Sequence, residues 1–81
     1  MKLLFTARAE FDYDRLSSRL KAQADKQLDL LAQDLRYPSL HAKKYDERRD
    51  IWQIRISRDY RVFFRIEGDS YILLALQKHP G

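Results

Sequence analysis

Three side chains suited to phosphate chemistry lie in the second half of this 81-residue chain. Arg55 and Arg61 fall in segments predicted to be neighbouring strands, and His79 lies just beyond the last predicted strand. Arginine binds phosphate through a planar fork of donors, and histidine titrates near neutral pH. We expect the arginines to stabilise charge on a phosphate and a histidine to transfer a proton. Together they would allow RNA to be cleaved without a metal, with the ribose 2′-hydroxyl as the nucleophile.

A second group of side chains near these three could bind the RNA itself. Lys43, Lys44 and Arg65 are cations that could contact phosphates, and Phe63 lies between arginines as a ring on which a base could stack. A purely structural interpretation also exists for each of them. Arginines on a strand face often only solvate it, and lysines often keep an edge strand from pairing with other chains. An aromatic ring exposed among charges favours a contact surface.

Three consecutive antiparallel strands are predicted to position these residues. Residues 51–56, 60–66 and 71–76 are rich in β-branched, aromatic and aliphatic side chains, and turn-forming residues separate them at 57–59 and 68–69. The third segment is apolar at nearly every position. Its pattern therefore leaves the direction of His79 open.

The register of the first two strands follows from how their side chains sort. A two-residue turn would mix charged and apolar residues on both faces, whereas a three-residue loop at 57–59 pairs Ile54 with Val62 and Trp52 with Phe64. The three-residue loop gives one apolar face. The opposite face carries the polar and charged residues together with one aromatic: Gln53, Arg55, Arg61, Phe63 and Arg65.

The first half of the chain supplies the elements that would cover the apolar face. Residues 2–6 fit a short strand. From Phe11 onward, apolar residues recur every three or four positions, at Leu16, Leu20, Ala24, Leu28, Leu31 and Leu35. This interval fits one helix or two helices joined near residues 17–21, and we favour a helical hairpin. Asp12 or Asp14 is predicted to cap its start. A further short strand is expected at 42–45.

This order predicts an α+β fold in a single domain spanning residues 1–81. A short N-terminal strand and a helical hairpin precede an antiparallel β-meander, and the helices pack on one sheet face. The net charge of +4 favours a polyanionic partner, and the absence of cysteine excludes disulfides and thiolate zinc sites. No apolar run approaches the ~18 residues of a membrane span. We expect a soluble cytoplasmic protein with no metal, cofactor or membrane partner.

The residues in this order resemble a known family. The similarity rests on the set Trp52, Arg55, Ile56, Ser57, Asp59, Tyr60, Arg61, Val62, Phe64, Ile66, Gly68, Asp69, Lys78 and His79, with Pro38, Ser39, Leu40, His41, Lys43 and Lys44 upstream. This set of residues resembles that of the RelE/ParE superfamily of bacterial and archaeal type II toxins, with the RelE, YoeB and HigB-like branches the most similar.

The resemblance implies a small α+β toxin that is a metal-independent endoribonuclease, an mRNA interferase acting in several members at the ribosomal A site. Its implied partners are a cognate antitoxin protein, mRNA and the ribosome. Arg55 aligns with a basic position of the active face, Arg61 with the phosphate-stabilising arginine and His79 with the catalytic histidine of YoeB-like members. No carboxylate stands at 39–41, where those members place a glutamate base, and His41 is the candidate substitute. Gln53 stands where the RelE-like branch has a lysine.

Two other functions remain open at this stage. One is a ParE-like inhibitor of DNA gyrase without nuclease chemistry, and the other is a non-catalytic toxin homologue that only binds an antitoxin. Arg55, Arg61 and His79 together favour the nuclease, because a protein that only binds proteins needs no histidine beside phosphate-binding arginines. The missing carboxylate favours the alternatives.

Overall fold

Residues 1–79 are described by a computed structural model, and positions 80 and 81 of the predicted domain lie outside the described residues. Within this range the chain forms two α-helices and five strands. In chain order they are β1 (Lys2–Phe5), α1 (Ala7–Asp14), α2 (Ser18–Gln33), β2 (Lys43–Asp46), β3 (Ile51–Arg55), β4 (Tyr60–Glu67) and β5 (Ser70–Lys78), with a 3₁₀ turn at Pro38–Leu40 between α2 and β2. Neither α1 nor α2, nor any other helix within residues 1–79, has the length and apolar character needed to cross a membrane.

The five strands form one sheet in the order β1-β5-β4-β3-β2. Strands β2 to β5 pair antiparallel as a meander, whereas β1 runs parallel to β5 at the opposite edge from β2. A parallel pair needs a long crossover connection between its strands, which the rest of the chain provides here. The predicted α+β fold, with its N-terminal strand, helical hairpin and β-meander, is confirmed.

The register of the β3–β4 hairpin matches the prediction. Trp52 lies opposite Phe64 and Ile54 opposite Val62, and the Ile56 amide donates to the Tyr60 carbonyl at 3.0 Å across the loop 57–59. The apolar face formed in this way packs against the helices. Its largest fully buried side chains are Phe64, Leu31, Leu40, Ile54, Leu73 and Val62. The helices cover one sheet face only, and the other face carries Arg55 and Arg61.

The first helix begins earlier than predicted. Thr6 is its N-cap: its hydroxyl accepts from the Ala9 amide at 3.1 Å and donates to the Leu73 carbonyl at 2.8 Å. The prediction that Asp12 or Asp14 caps the helix is wrong, since both lie inside α1. The break between the two helices does fall in the predicted region.

Ser17 makes that break. Its hydroxyl accepts from the Leu20 amide at 3.2 Å, which caps the start of α2. A short hydroxyl side chain accepts hydrogen bonds from the free amides of the first helical turn, so it favours a new helix at this position.

A bulge in β5 sets the direction of the C-terminal segment. Phe63 pairs with Ala75 but Phe64 pairs with Leu73, so Leu74 is an extra residue on β5. A bulge re-aims the strand that carries it. Beyond the bulge the His79 amide donates to the Asp59 carbonyl, which brings His79 beside the loop 57–59.

Candidate functional site

An open pocket of about 270 Å³ lies on the sheet face that the helices leave uncovered. All four predicted catalytic side chains line it. Its full lining is His41, Ala42, Lys43, Gln53, Arg55, Arg61 and His79. These residues come from the 3₁₀ turn, the edge strand β2, the β3–β4 hairpin and the end of the chain, so the fold collects them from four separate places.

The two arginines at the centre of the pocket lie directly opposite each other. Arg55 on β3 pairs with Arg61 on β4, and both side chains are partly buried. Like charges placed opposite each other on a sheet repel. Burial lowers the pKa of Arg61 most, and the positive charge of Arg55 lowers it further, while the negative charge of Asp59 opposes this shift. A bound anion would relieve the repulsion, so this pair is suited to hold phosphate.

The Arg61 guanidinium is anchored to the hairpin loop. Its Nη1 donates to the backbone carbonyls of Ser57, Arg58 and Tyr60 at 2.8, 3.2 and 3.0 Å. Because these three acceptors are backbone atoms, they orient the planar fork before any ligand binds. An oriented fork loses less entropy when it binds a phosphate.

His41 reaches the rim of the pocket through an unusual backbone conformation. It follows the 3₁₀ turn Pro38–Leu40 with φ 49° and ψ 43°, in the left-handed region, and its amide donates to the Pro38 carbonyl at 3.1 Å. Non-glycine residues adopt this region at a cost of roughly 1–2 kcal/mol. Leu40, which is fully buried, ties the turn to the core and holds His41 in place.

Gln27 on α2 bonds to two backbone segments that border the pocket, and the sequence analysis did not predict this role. Its side chain is only 7% exposed, and its Nε2 donates to the Ser39 carbonyl at 3.0 Å and to the Arg55 carbonyl at 2.7 Å. One amide therefore joins the turn before His41 to the end of β3. The available signal was its position, since Gln27 follows Ala24 by three residues and precedes Leu31 by four on the apolar stripe.

Phe63 lies on the predicted face but is not an exposed stacking platform. It is 8% exposed because Tyr45 covers it, with ring centroids 4.8 Å apart in an edge-to-face arrangement. The exposed ring of this face is Tyr45, at 54%. The expectation of an exposed aromatic at 63 is wrong. Tyr45 follows Lys43 by two residues on β2, and side chains two apart on a strand share a face, so this spacing could have placed Tyr45 on the open face.

The two predicted RNA-binding lysines point to opposite sides of β2. Lys43 pairs with Gln53 and lines the pocket. Lys44 pairs with Trp52, with its Nζ 2.6 Å from Asp50 Oδ1 and 5.0 Å from the Trp52 ring centroid. Lys44 thus lies on the helix-covered side of the sheet and does not line the pocket.

Arg65 is exposed and lies outside the pocket lining. It follows Arg61 by four residues on β4, a separation of about 13 Å along a strand. It could contact only a more distant part of a long ligand.

The fold is shared with solved structures of bacterial toxins. The YoeB/ParE toxin from Agrobacterium tumefaciens is similar with a TM-score of 0.83 and 17% identity, covering 99% of this chain and 100% of that one. The isolated E. coli RelE toxin is similar with a TM-score of 0.78 and 20% identity over 99% and 85% of the two chains. The toxin of the heterotetrameric YoeB-YefM toxin-antitoxin complex from Staphylococcus aureus has a TM-score of 0.78 and 12% identity over 99% and 98%.

The family assignment comes from the sequence itself. No curated protein matches the chain significantly. Residues 18–80, from the start of α2 onward, match the ParE-like toxin domain family, and this range contains Arg55, Arg61, His41 and His79. The chain therefore belongs to the ParE-like toxin domain family and shares the fold of the YoeB, ParE and RelE toxins.

Proposed function

We propose that the protein is a cytoplasmic, metal-independent endoribonuclease that cleaves mRNA in the ribosomal A site. The observation that carries this proposal is the single pocket in which Arg55, Arg61, Lys43, His41 and His79 meet. Three permanent or near-permanent cations there match a polyanion, and two histidines match the two proton transfers of RNA cleavage.

The geometry supports a division of labour between the two arginines. Arg61 is anchored to the loop 57–59, and the His79 backbone bonds to Asp59 of the same loop. We therefore assign the scissile phosphate to Arg61, next to His79. Arg55 binds the neighbouring phosphate of the same strand.

The reaction is a transesterification within the RNA. His41 accepts the proton of the attacking 2′-hydroxyl, the 2′-oxygen forms a bond to phosphorus, and the bond from phosphorus to the 5′-oxygen breaks. His79 gives a proton to the leaving 5′-oxygen. The products are a 2′,3′-cyclic phosphate and a 5′-hydroxyl. Arg61 stabilises the charge that develops on the phosphate oxygens.

A cognate antitoxin protein is the proposed protein partner. Structurally similar toxins are seen in the YoeB-YefM complex from Staphylococcus aureus and the intact E. coli RelBE toxin-antitoxin complex. The positive net charge of this chain favours an acidic antitoxin.

Induced expression followed by primer-extension mapping of cellular messages tests the cleavage. Wild type should cut messages within codons, and Arg61→Ala and His79→Gln should each reduce cutting at least a hundredfold. Arg19→Ala, which removes an arginine from the exposed first turn of α2, is the matched control and should cut like wild type. Intact messages together with accumulating gyrase-cleaved DNA would overturn the proposal in favour of gyrase inhibition.

A further inference from the structure

Two buried polar atoms of the pocket lack partners within the protein. Gln53 is 4% exposed, so its side chain is more than nine-tenths buried, and it lines the pocket. Among residues 1–79, neither Gln53 Oε1 nor Arg55 Nε has a hydrogen-bond partner. Buried polar atoms are almost always satisfied, and an unsatisfied one destabilises the folded state. The two residues lie on the same face of β3, two positions apart, and one atom accepts where the other donates.

The charges around Gln53 limit the kinds of ligand that could bond to both Gln53 Oε1 and Arg55 Nε. Lys43 lies opposite Gln53 on β2, Arg55 follows it on β3, and Arg61 lies opposite Arg55. These cations will bind the anionic part of any ligand, including at Arg55 Nε. An amide oxygen needs a donor, so the matching ligand carries a neutral hydroxyl or amine close to an anion.

A ribonucleotide has this arrangement of groups. Its 2′-hydroxyl is on the carbon next to the one that bears the 3′-phosphate, whereas the amino groups of a base lie beyond the sugar. Gln53 cannot take a proton at ordinary pH, so it can recognise a hydroxyl but cannot activate one. The hydroxyl it meets is consequently different from the attacking one, which must give its proton to a base.

We infer that Gln53 is an RNA-binding residue that accepts a hydrogen bond from the 2′-hydroxyl of the nucleotide whose phosphate Arg55 binds. This inference rests on the proposed function, because it places a second nucleotide beside the scissile one. Its consequence is selection of ribose over deoxyribose at a position where no bond is cleaved. A site built to bond a hydroxyl rejects an analogue that lacks it.

Binding of three uridine hexanucleotides to the purified protein tests the inference. One is all-ribo, one all-deoxy, and one carries 2′-fluorine throughout, which keeps a ribose-like sugar pucker but removes the donor. Titration followed by NMR should show wild type binding the ribo form about tenfold more tightly than the fluoro form, equivalent to ~1.4 kcal/mol. The side-chain amide resonances of Gln53 should shift with the ribo form and much less with the fluoro form.

Two variants separate recognition from folding. Gln53→Leu removes the acceptor and should lose most of the preference for the ribo form over the fluoro form, keeping only what the attacking 2′-hydroxyl contributes at His41. Gln53→Glu keeps an acceptor, so it should retain the ribo preference while binding all three oligonucleotides more weakly through repulsion of phosphate. If the leucine variant unfolds, the wild-type resonances and the glutamate variant still decide the question.

Equal binding of the ribo and fluoro forms by wild type, or no binding of any of the three, would overturn the inference. So would a leucine variant that keeps the full wild-type preference. The result is separate from cleavage. A ribose preference in a protein that leaves cellular messages intact would reject the proposed ribonuclease and retain the Gln53 hydroxyl site. Message cleavage by a protein without a ribose preference would reject only the Gln53 site.

Discussion

The two faces of the β3–β4 hairpin are built by different forces. On the helix-covered face Ile54, Val62 and Phe64 are fully buried and packed by side chains from across the layer. On the open face Arg55 and Arg61 are partly buried, and Arg61 is held by backbone carbonyls of its own loop. The hydrophobic effect therefore fixes the first face, and hydrogen bonds at strand ends position the second. Damage to the first should unfold the protein, whereas damage to the second should remove function.

Two adjacent phenylalanines test this contrast with the largest expected effect. Phe64→Ala should lower the free energy of unfolding by ~3–5 kcal/mol, because it opens a cavity in the core. Phe63→Ala should lower it by only about 1.5–3 kcal/mol, because that ring lies outside the main core cluster and packs against Tyr45 on the open face. Urea denaturation followed by circular dichroism measures both. Equal losses would mean that the open face is packed like the core.

Gln27 connects the two faces and should show both kinds of effect. Gln27→Leu leaves the Ser39 and Arg55 carbonyls without their donor, which should lower the free energy of unfolding by about 2 kcal/mol. It should also reduce message cleavage about tenfold in a folded sample, since the turn before His41 and the end of β3 lose their common tie. Lys26→Ala, an exposed neighbour on α2, is the control and should change neither. Full activity in the leucine variant would show that the pocket holds its shape without Gln27.

Alanine variants at Asp12 and Asp14 compare a side chain that makes a tertiary contact with one that is exposed on the same helix. Asp12 Oδ2 accepts from the Leu76 amide at 3.1 Å, joining α1 to β5, whereas Asp14 is exposed in the last turn of α1. Asp12→Ala should lower the free energy of unfolding by ~1 kcal/mol. Asp14→Ala should leave it unchanged or raise it slightly, because a negative charge is unfavourable at a helix C-terminus. Denaturation midpoints for the two variants compare them, and an equal loss from both would contradict the assigned contact.

The same contrast explains how much of the fold was predictable. Ile54 and Val62 could be assigned to one face because charged residues alternate with them, and only one loop length sorts them cleanly. The start of α1 was not predictable from periodicity, since Ala9 is its only buried residue and leaves no apolar stripe. The bulge at Leu74 was hidden because β5 is apolar on both faces.

The site was predictable in composition but less so in arrangement. Arg55, Arg61 and His79 were identified by type and His41 from the family resemblance, and all four converge on one pocket. The covering of Phe63 by Tyr45 depends on contact between strands that are not paired with each other, which periodicity does not encode. Gln27 was missed because a single polar residue on an apolar stripe gives no sign of its hydrogen-bond partners.

Lys43 and Lys44 provide the smallest and most local test of the two faces. Their charges are equal and their positions adjacent, but Lys43 lines the pocket and Lys44 pairs with Asp50 on the other side of β2. Lys43→Ala should weaken message cleavage about fivefold through loss of one phosphate contact, which primer extension at matched expression would measure. Lys44→Ala should cleave like wild type, because the ion pair it loses is outside the pocket. An equal loss from both variants would mean that the RNA wraps around the edge strand and contacts both of its faces.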